Sequence, residues 1–503
     1  MNFFVILLTV LYVVTSLCIM VYGLHCYFMI TLFLSRQKYC RRQIGAEIEQ
    51  FYRQTPDNGL PFVTVQLPIY NEAEVVERLL RSAVELDYPK DRYEIQVLDD
   101  STDDTYLLSQ RLAQELTASL GVAISVIHRS DRRGFKAGAL AYGMEVAKGD
   151  YLAIFDADFL IPKHFLKRSI ALLHPHPTIA CLQGRWGHLN SKENWLTEAQ
   201  SIGIDGHFVA EQGARSYHSL CMNFNGTAGI WRKQAILDGG GWQADTLTED
   251  LDLSYRVQMK GYTIRYDFDL ECPAEVPNNV IALKSQQKRW AKGSIETARK
   301  LLAPIWATPH FSLSKKLEAT LHLTHYSVSA FMMLLCCLTL PMLLWTPLPK
   351  WTWMMGAIIF MIFLSAIAPC VMYTGCGFVL RHGFFSLSRF PAMLVLGTGL
   401  CLNNAWAVWE GLCGRKSEFV RTPKSGSTGT QKKMGRYKAD TNFVMGIAEI
   451  LLGLYCVCTF IIYLLAHKYV FGFFIAAYAV GFISFGWLTL KPKLASTVNR
   501  AAA

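Results

Sequence analysis

The sequence predicts an α/β domain on a mostly parallel sheet, inserted between the transmembrane helices of an α-helical membrane domain. Three observations carry this. The 503 residues are 52% hydrophobic and only 17% charged, with a mean hydropathy of +0.22, a balance that fits partial burial in lipid better than several soluble domains. The apolar residues crowd before residue 35 and after residue 320. Between those limits short β-rich runs alternate with helical ones, the pattern of a parallel sheet covered by helices.

From the N-terminus, residues 1–35 are read as one transmembrane helix, because the apolar stretch 3–34 outruns the apolar core of a signal peptide and has no basic segment before it. Arg36, Lys38, Arg41 and Arg42 follow, as on a cytoplasmic flank. Residues 36–318 form the cytoplasmic domain. Two spans, 321–345 and 352–374, fall in 319–375, and two more, 443–467 and 470–490, in 442–491. A sixth apolar stretch, 391–412, holds Asn403, Asn404 and Glu410, which are costly in hydrocarbon. If it crossed, the basic loop 414–441 would lie outside whenever the 36–318 domain lies inside. Residues 376–413 are therefore expected to be an interfacial or re-entrant element, which leaves five spans, an external N-terminus and a cytoplasmic tail, 492–503.

The net charge of +10 suits anionic lipid headgroups and phosphate-bearing substrates. Because much of it flanks apolar segments, membrane lipids rather than nucleic acid are the expected partners, and the chain is expected in a plasma, inner or Golgi membrane. The 14 cysteines are scattered without a CxxC pair, which argues against a zinc site or a disulfide framework.

Within the domain the expected order is strand 63–67, helix 72–85, strand 93–98, helix 105–120, strand 122–128, and later strand 151–155. Ligands bind such sheets at the carboxyl ends of the strands. There stand Tyr70 and Glu72, then Asp99 and Asp100, then Asp156 and Asp158. Two carboxylates one residue apart at a strand end are hard oxygen ligands suited to Mg²⁺ or Mn²⁺ bridging a diphosphate. For Asp99, Asp100 and Ser101 the plainer reading is N-capping of the next helix.

Further on, Glu249 and Asp250 open an amphipathic helix, with Asp250 placed to take a proton from an attacking hydroxyl. Here the plainer reading is a capping box built on Thr246 or Thr248. Lys136 and Arg289 supply cations for a pyrophosphate, and Trp290 an apolar face for a sugar.

In this order the motifs resemble those of the family-2 processive glycosyltransferases, particularly cellulose-synthase-like β-glucan and β-mannan synthases of the plant glucan-backbone and glucomannan branch. The resemblance covers essentially the whole chain and implies a GT-A-type domain. It assigns Asp99 and Asp100 to the nucleoside, Asp156 and Asp158 to the metal, Asp250 to the catalytic base, and Gln286, Arg289 and Trp290 to the sugar and pyrophosphate. Phe224 to Gly229, with Asn225, Gly226 and Thr227, resembles the acceptor-end segment. Phe419 to Lys424 resembles a gating loop in which Thr422 and Lys424 would meet the diphosphate. The implied reaction is inverting, processive transfer from a nucleotide sugar to a growing β-linked polysaccharide, with translocation of the product. The form of the gating string favours UDP-glucose over GDP-mannose. The rival enzyme reading is single transfer to a lipid, as in ceramide glucosyltransferase. A non-enzymatic anion carrier would leave three acidic strand ends unexplained. Oligomeric state and partner subunits stay open.

Overall fold

The computed structural model describes residues 3–345, 352–415 and 443–501. Its centre is a seven-stranded sheet: β1 (Val63–Ile69), β2 (Tyr93–Asp99), β3 (Ala123–His128), β4 (Tyr151–Ile154), β5 (Ile179–His188), β6 (Gly229–Arg232) and β7 (Thr263–Ala274), in the order β3-β2-β1-β4-β6-β5-β7. All neighbours run parallel except β6, which is antiparallel to β4 and β5. The sheet is therefore mostly parallel, and the carboxyl ends of β1, β2 and β4 open on one edge.

Strands β1, β2 and β4, at the middle of the sheet, are buried runs, as a sheet covered on both faces requires, while the edge strand β3 is half-exposed. Their few polar side chains pair across the ladder. Thr64 Oγ1 donates to Glu94 Oε1 at 2.8 Å and Gln66 Nε2 to Gln96 Oε1 at 3.0 Å, which ties β1 to β2 through side chains as well as through the backbone ladder.

Among the described residues six helices are long and apolar enough to cross a membrane: Phe3–Gln54, Ser327–Trp345, Phe360–Val379, Phe390–Leu412, Phe443–Leu465 and Gly472–Pro492. Five overlap the expected spans, and the sixth is the stretch assigned above to the interface. In that helix Asn403 Nδ2 donates to the Lys284 carbonyl at 3.0 Å, and Glu410 takes Lys288 Nζ at 3.1 Å and Trp406 Nε1 at 2.8 Å. Protein contacts thus satisfy the polar groups that made it costly in hydrocarbon.

The first helix runs unbroken to Gln54, past the boundary read at residue 35. Its continuation has its own partners on the domain. Phe33 stacks on Phe268 at 6.1 Å, Arg41 pairs with Asp269 at 2.5 Å, and Ile44 and Phe51 are buried. Helix Val280–Ala307 packs along Phe390–Leu412 and also touches Tyr469–Ala501, so it joins the sheet domain to the apolar helices. The gating string with Thr422 and Lys424 lies outside the described residues.

Candidate active site

One cleft lies against the carboxyl edge of the sheet. The turn after β1 contributes Tyr70 and Glu72, the end of β2 Asp100, and the turn after β4 Asp156 and Asp158. Helix Phe135–Val146 adds Lys136, the segment before β6 adds Asn225 and Gly226, and helix Glu249–Met259 adds Glu249 and Asp250. Helix Val280–Ala307 closes it with Gln286, Arg289 and Trp290.

Two sequence candidates stand behind the wall. Asp99 is fully buried and accepts the Ser101 N–H at 2.6 Å, and burial raises its carboxyl above the usual range. Thr227 is also fully buried, and its Oγ1 accepts the Asp156 N–H at 2.9 Å. Each shapes the turn that presents a neighbouring aspartate.

The plainer capping readings do not hold. Helix Thr105–Leu120 begins after Asp104 without a side-chain cap, and helix Glu249–Met259 follows Thr248 without one. Thr248 Oγ1 instead meets Thr297 Oγ1 at 3.2 Å. Asp100 is committed elsewhere: Arg129 grips it with Nε at 2.7 Å and Nη2 at 2.5 Å, and donates onward to the Phe135 carbonyl at 3.0 Å. That fork fixes the loop leading into Lys136.

Lys136 Nζ lies 2.5 Å from Asp156 Oδ1 and 2.8 Å from the Gly226 carbonyl. Gly226 has φ +81°, and a Cβ there would stand 2.9 Å from Asp250 Oδ2. The acceptor-end segment therefore runs between the lysine and the candidate base, and only glycine fits. Burial, reinforced by the charge of Glu249, pushes the Asp250 carboxyl up to about 7, while Lys136 and Arg289 pull the other way. Its Oδ1 accepts the Leu251 N–H at 2.8 Å.

Among the described residues no set of three or more His, Cys, Asp or Glu side chains converges as a metal cage. Asp156 and Asp158 are the carboxylates of the cleft that could hold a hard cation, which would then take its further oxygen ligands from phosphate and water.

The cleft also contains residues not anticipated from sequence. Arg132 stacks over the Tyr70 ring at 3.3 Å, and Trp186 and His188 line the wall from the end of β5. Arg129 and Arg132 follow β3 directly, so the strand-end rule could have found them. Trp186 and His188 sit on a strand that had not been delimited.

Residues 61–293 match the family model described as Glycosyltransferase like family 2. Probable glucomannan 4-beta-mannosyltransferase 15 of Arabidopsis thaliana is 34% identical over 413 residues, which are 79% of this chain and 73% of that protein. The chain belongs to glycosyltransferase family 2. Glucomannan 4-beta-mannosyltransferase 1 of Oryza sativa subsp. japonica is 33% identical over 77% of this family-2 chain and 74% of its own length. Glucomannan 4-beta-mannosyltransferase 9 of Arabidopsis thaliana is 33% identical over 87% and 83%. A solved structure, a mannosyltransferase from Pyrobaculum calidifontis in complex with GDP-Man and Mn²⁺, aligns at 21% identity and TM-score 0.47, covering 69% of this chain and 98% of that one. As a family-2 glycosyltransferase the chain is an enzyme.

Proposed function

We propose that this transferase extends a β-1,4-linked hexose backbone by inverting, processive transfer, with GDP-mannose as donor and UDP-glucose second. The observation that carries the chemistry is the cleft itself. It sets the Asp156 and Asp158 carboxylates, Lys136 and Arg289 around one space with Asp250. The acceptor hydroxyl attacks the anomeric carbon while Asp250 takes its proton, and the bond from that carbon to the diphosphate oxygen breaks. One carboxylate suffices for inversion, since the leaving diphosphate needs charge neutralisation rather than a proton. Lys136 and Arg289 provide part of that neutralisation. Asp156 and Asp158 are the residues that would hold Mg²⁺ or Mn²⁺, which as a Lewis acid would provide the rest. Trp290 offers a ring face to the acceptor sugar.

Supporting mannosyl transfer and polymerisation, rather than single transfer to a lipid, are the relatives, which carry the name glucomannan 4-beta-mannosyltransferase over most of their length. Supporting export of the product is the seating of the Trp290 helix, Val280–Ala307, directly against the apolar helices. The sheet domain is then cytoplasmic and the protein integral to a membrane.

The test is incorporation of radiolabel by the full chain in lipid, from GDP-mannose and UDP-glucose supplied separately, with products digested by β-mannanase or β-1,4-glucanase. Mannanase-sensitive polymer from GDP-mannose is the expected result. Polymer from UDP-glucose alone would reassign the donor, and label confined to lipid extracts would overturn polymerisation. Asp158→Ala is expected to abolish metal-dependent donor binding.

A further inference from the structure

Between helices Trp195–Asp205 and Gln212–Tyr217 the chain makes a π-helical turn, Gly206–Glu211. Such a turn holds one residue more than an α-helical one and is found frequently at functional sites. Here two apolar helices grip it. A Cβ at Gly206 would run into the Tyr373 ring of helix Thr352–Val379, and just past the turn one at Gly213 would lie 2.6 Å from the Phe33 ring of helix Phe3–Gln54.

From that seat, and from Asp205 just before it, three side chains each meet one residue of the cleft wall. Asp205 Oδ1 lies 2.9 Å from His188 Nε2, Phe208 stacks on Trp186 at 4.7 Å, and His207 Nε2 lies 2.9 Å from Asn225 Nδ2. The last contact has a fixed polarity. Gln212 Nε2 donates to the Asn223 carbonyl at 2.9 Å, so the Asn225 atom it also meets is the amide oxygen. Asn225 Nδ2 must then be the donor to His207, and the His207 proton sits on Nδ1, given to Glu211 Oε2 at 2.9 Å. Arg215 Nη1 holds Glu211 at 3.1 Å, and Arg215 Nε is bound by buried Glu318 at 2.9 Å. From Glu318 to Asn225 each side chain thus has one arrangement.

We propose that the π-helical turn is the positioning element of the acceptor end, and that His207, on the amide nitrogen, acts with Gln212, on the amide oxygen, to lock Asn225 in one orientation toward a β-linked oligosaccharide. The inference rests on the acceptor reading of Asn225. A sugar hydroxyl both donates and accepts, so an amide free to flip would admit the ring in two poses. A locked one admits it in one.

The experiment uses the full chain in lipid, with β-1,4-linked mannohexaose or cellohexaose added as acceptor and GDP-mannose or UDP-glucose, whichever is incorporated, as donor. His207→Phe is expected to raise the half-saturating acceptor concentration about tenfold, the equivalent of one hydrogen bond to an oriented group, with the donor KM within about twofold of wild type. His207→Gln, whose amide oxygen can accept from Asn225, is expected to recover most of the loss, which a defect of folding would not. A His207→Phe variant with wild-type acceptor dependence, beside an Asn225→Ala variant that loses it, would overturn the positioning role. So would a donor KM that rises in step. Asn225→Ala with unchanged acceptor use would remove Asn225 from the acceptor site, and the inference with it.

Discussion

Lys136 Nζ sits 2.5 Å from Asp156 Oδ1, so the cation proposed for the diphosphate already neutralises a carboxylate proposed for the metal. The lysine then plays two opposed parts. Toward the donor it is an attractive charge, but toward a divalent cation it competes for Asp156. Lys136→Met is expected to raise the donor KM about tenfold or more while lowering the Mn²⁺ concentration that half-saturates turnover. Paired titrations of donor and metal check this, and a metal requirement that rises with the donor KM would contradict the competition.

The proposed base titrates near neutral pH. With its carboxyl held up to about 7 by burial and then by Glu249, Asp250 accepts a proton only above that pH, so kcat/KM is expected to fall as pH drops through about 7. Glu249→Gln removes the like charge and moves the acid limb to lower pH. Asp250→Asn is expected to keep donor binding and abolish transfer. Stability moves the other way. Between the ordinary aspartate value of 3.8 and about 7 the folded protein keeps a proton that the unfolded chain has released, so ionising Asp250 weakens the fold as pH rises. Asp250→Asn should therefore unfold at a higher temperature than wild type at pH 8, and a pH-rate profile with a thermal melt tests both halves.

Gly226 carries a backbone requirement and a steric one together. At φ +81° an alanine is strained by roughly 1–2 kcal/mol, and its Cβ would stand 2.9 Å from Asp250 Oδ2. Gly226→Ala is expected to cut kcat about 100-fold by displacing the base, with only a modest change in melting temperature. Near-wild-type turnover would mean the acceptor-end segment yields to the methyl group, and the close approach would lose its catalytic meaning.

Much of the cleft was legible because its residues obey a local rule. Glu72, Asp100, Asp156 and Asp158 follow parallel strands, and a parallel sheet gathers its carboxyl ends whatever the rest of the chain does. The contributions of Gly226 and Asp250 came through resemblance and a helix start, since no rule of strand order foretells the antiparallel β6 or what precedes it. What stayed hidden depends on long-range packing. The π-helical turn has no composition of its own, the first helix runs on to Gln54 only because Phe33, Arg41 and Phe51 find partners on the domain, and Asp99 reads like Asp100 although only the latter reaches the cleft.

The pairing of Lys284 with Glu449 was hidden in the same way, since 165 residues separate them. Glu449 lies within an apolar helix, fully buried, with Lys284 Nζ 2.7 Å from Oε1 and Thr489 Oγ1 3.0 Å from the same ammonium. Lys284 lies two residues before Gln286, so the pair docks the helix carrying Gln286, Arg289 and Trp290 onto helices Phe443–Leu465 and Tyr469–Ala501. Removing one partner leaves a bare charge in a dry site, and Lys284→Met or Glu449→Leu alone is expected to destabilise by about 3–5 kcal/mol. The double change to Met and Leu leaves no bare charge and should recover most of the thermal stability. Activity separates docking from stability. If the pair sets the angle of the helix, the double variant will melt near wild type yet show a reduced kcat with an unchanged donor KM, whereas full recovery of both would reduce Lys284 and Glu449 to a structural bond.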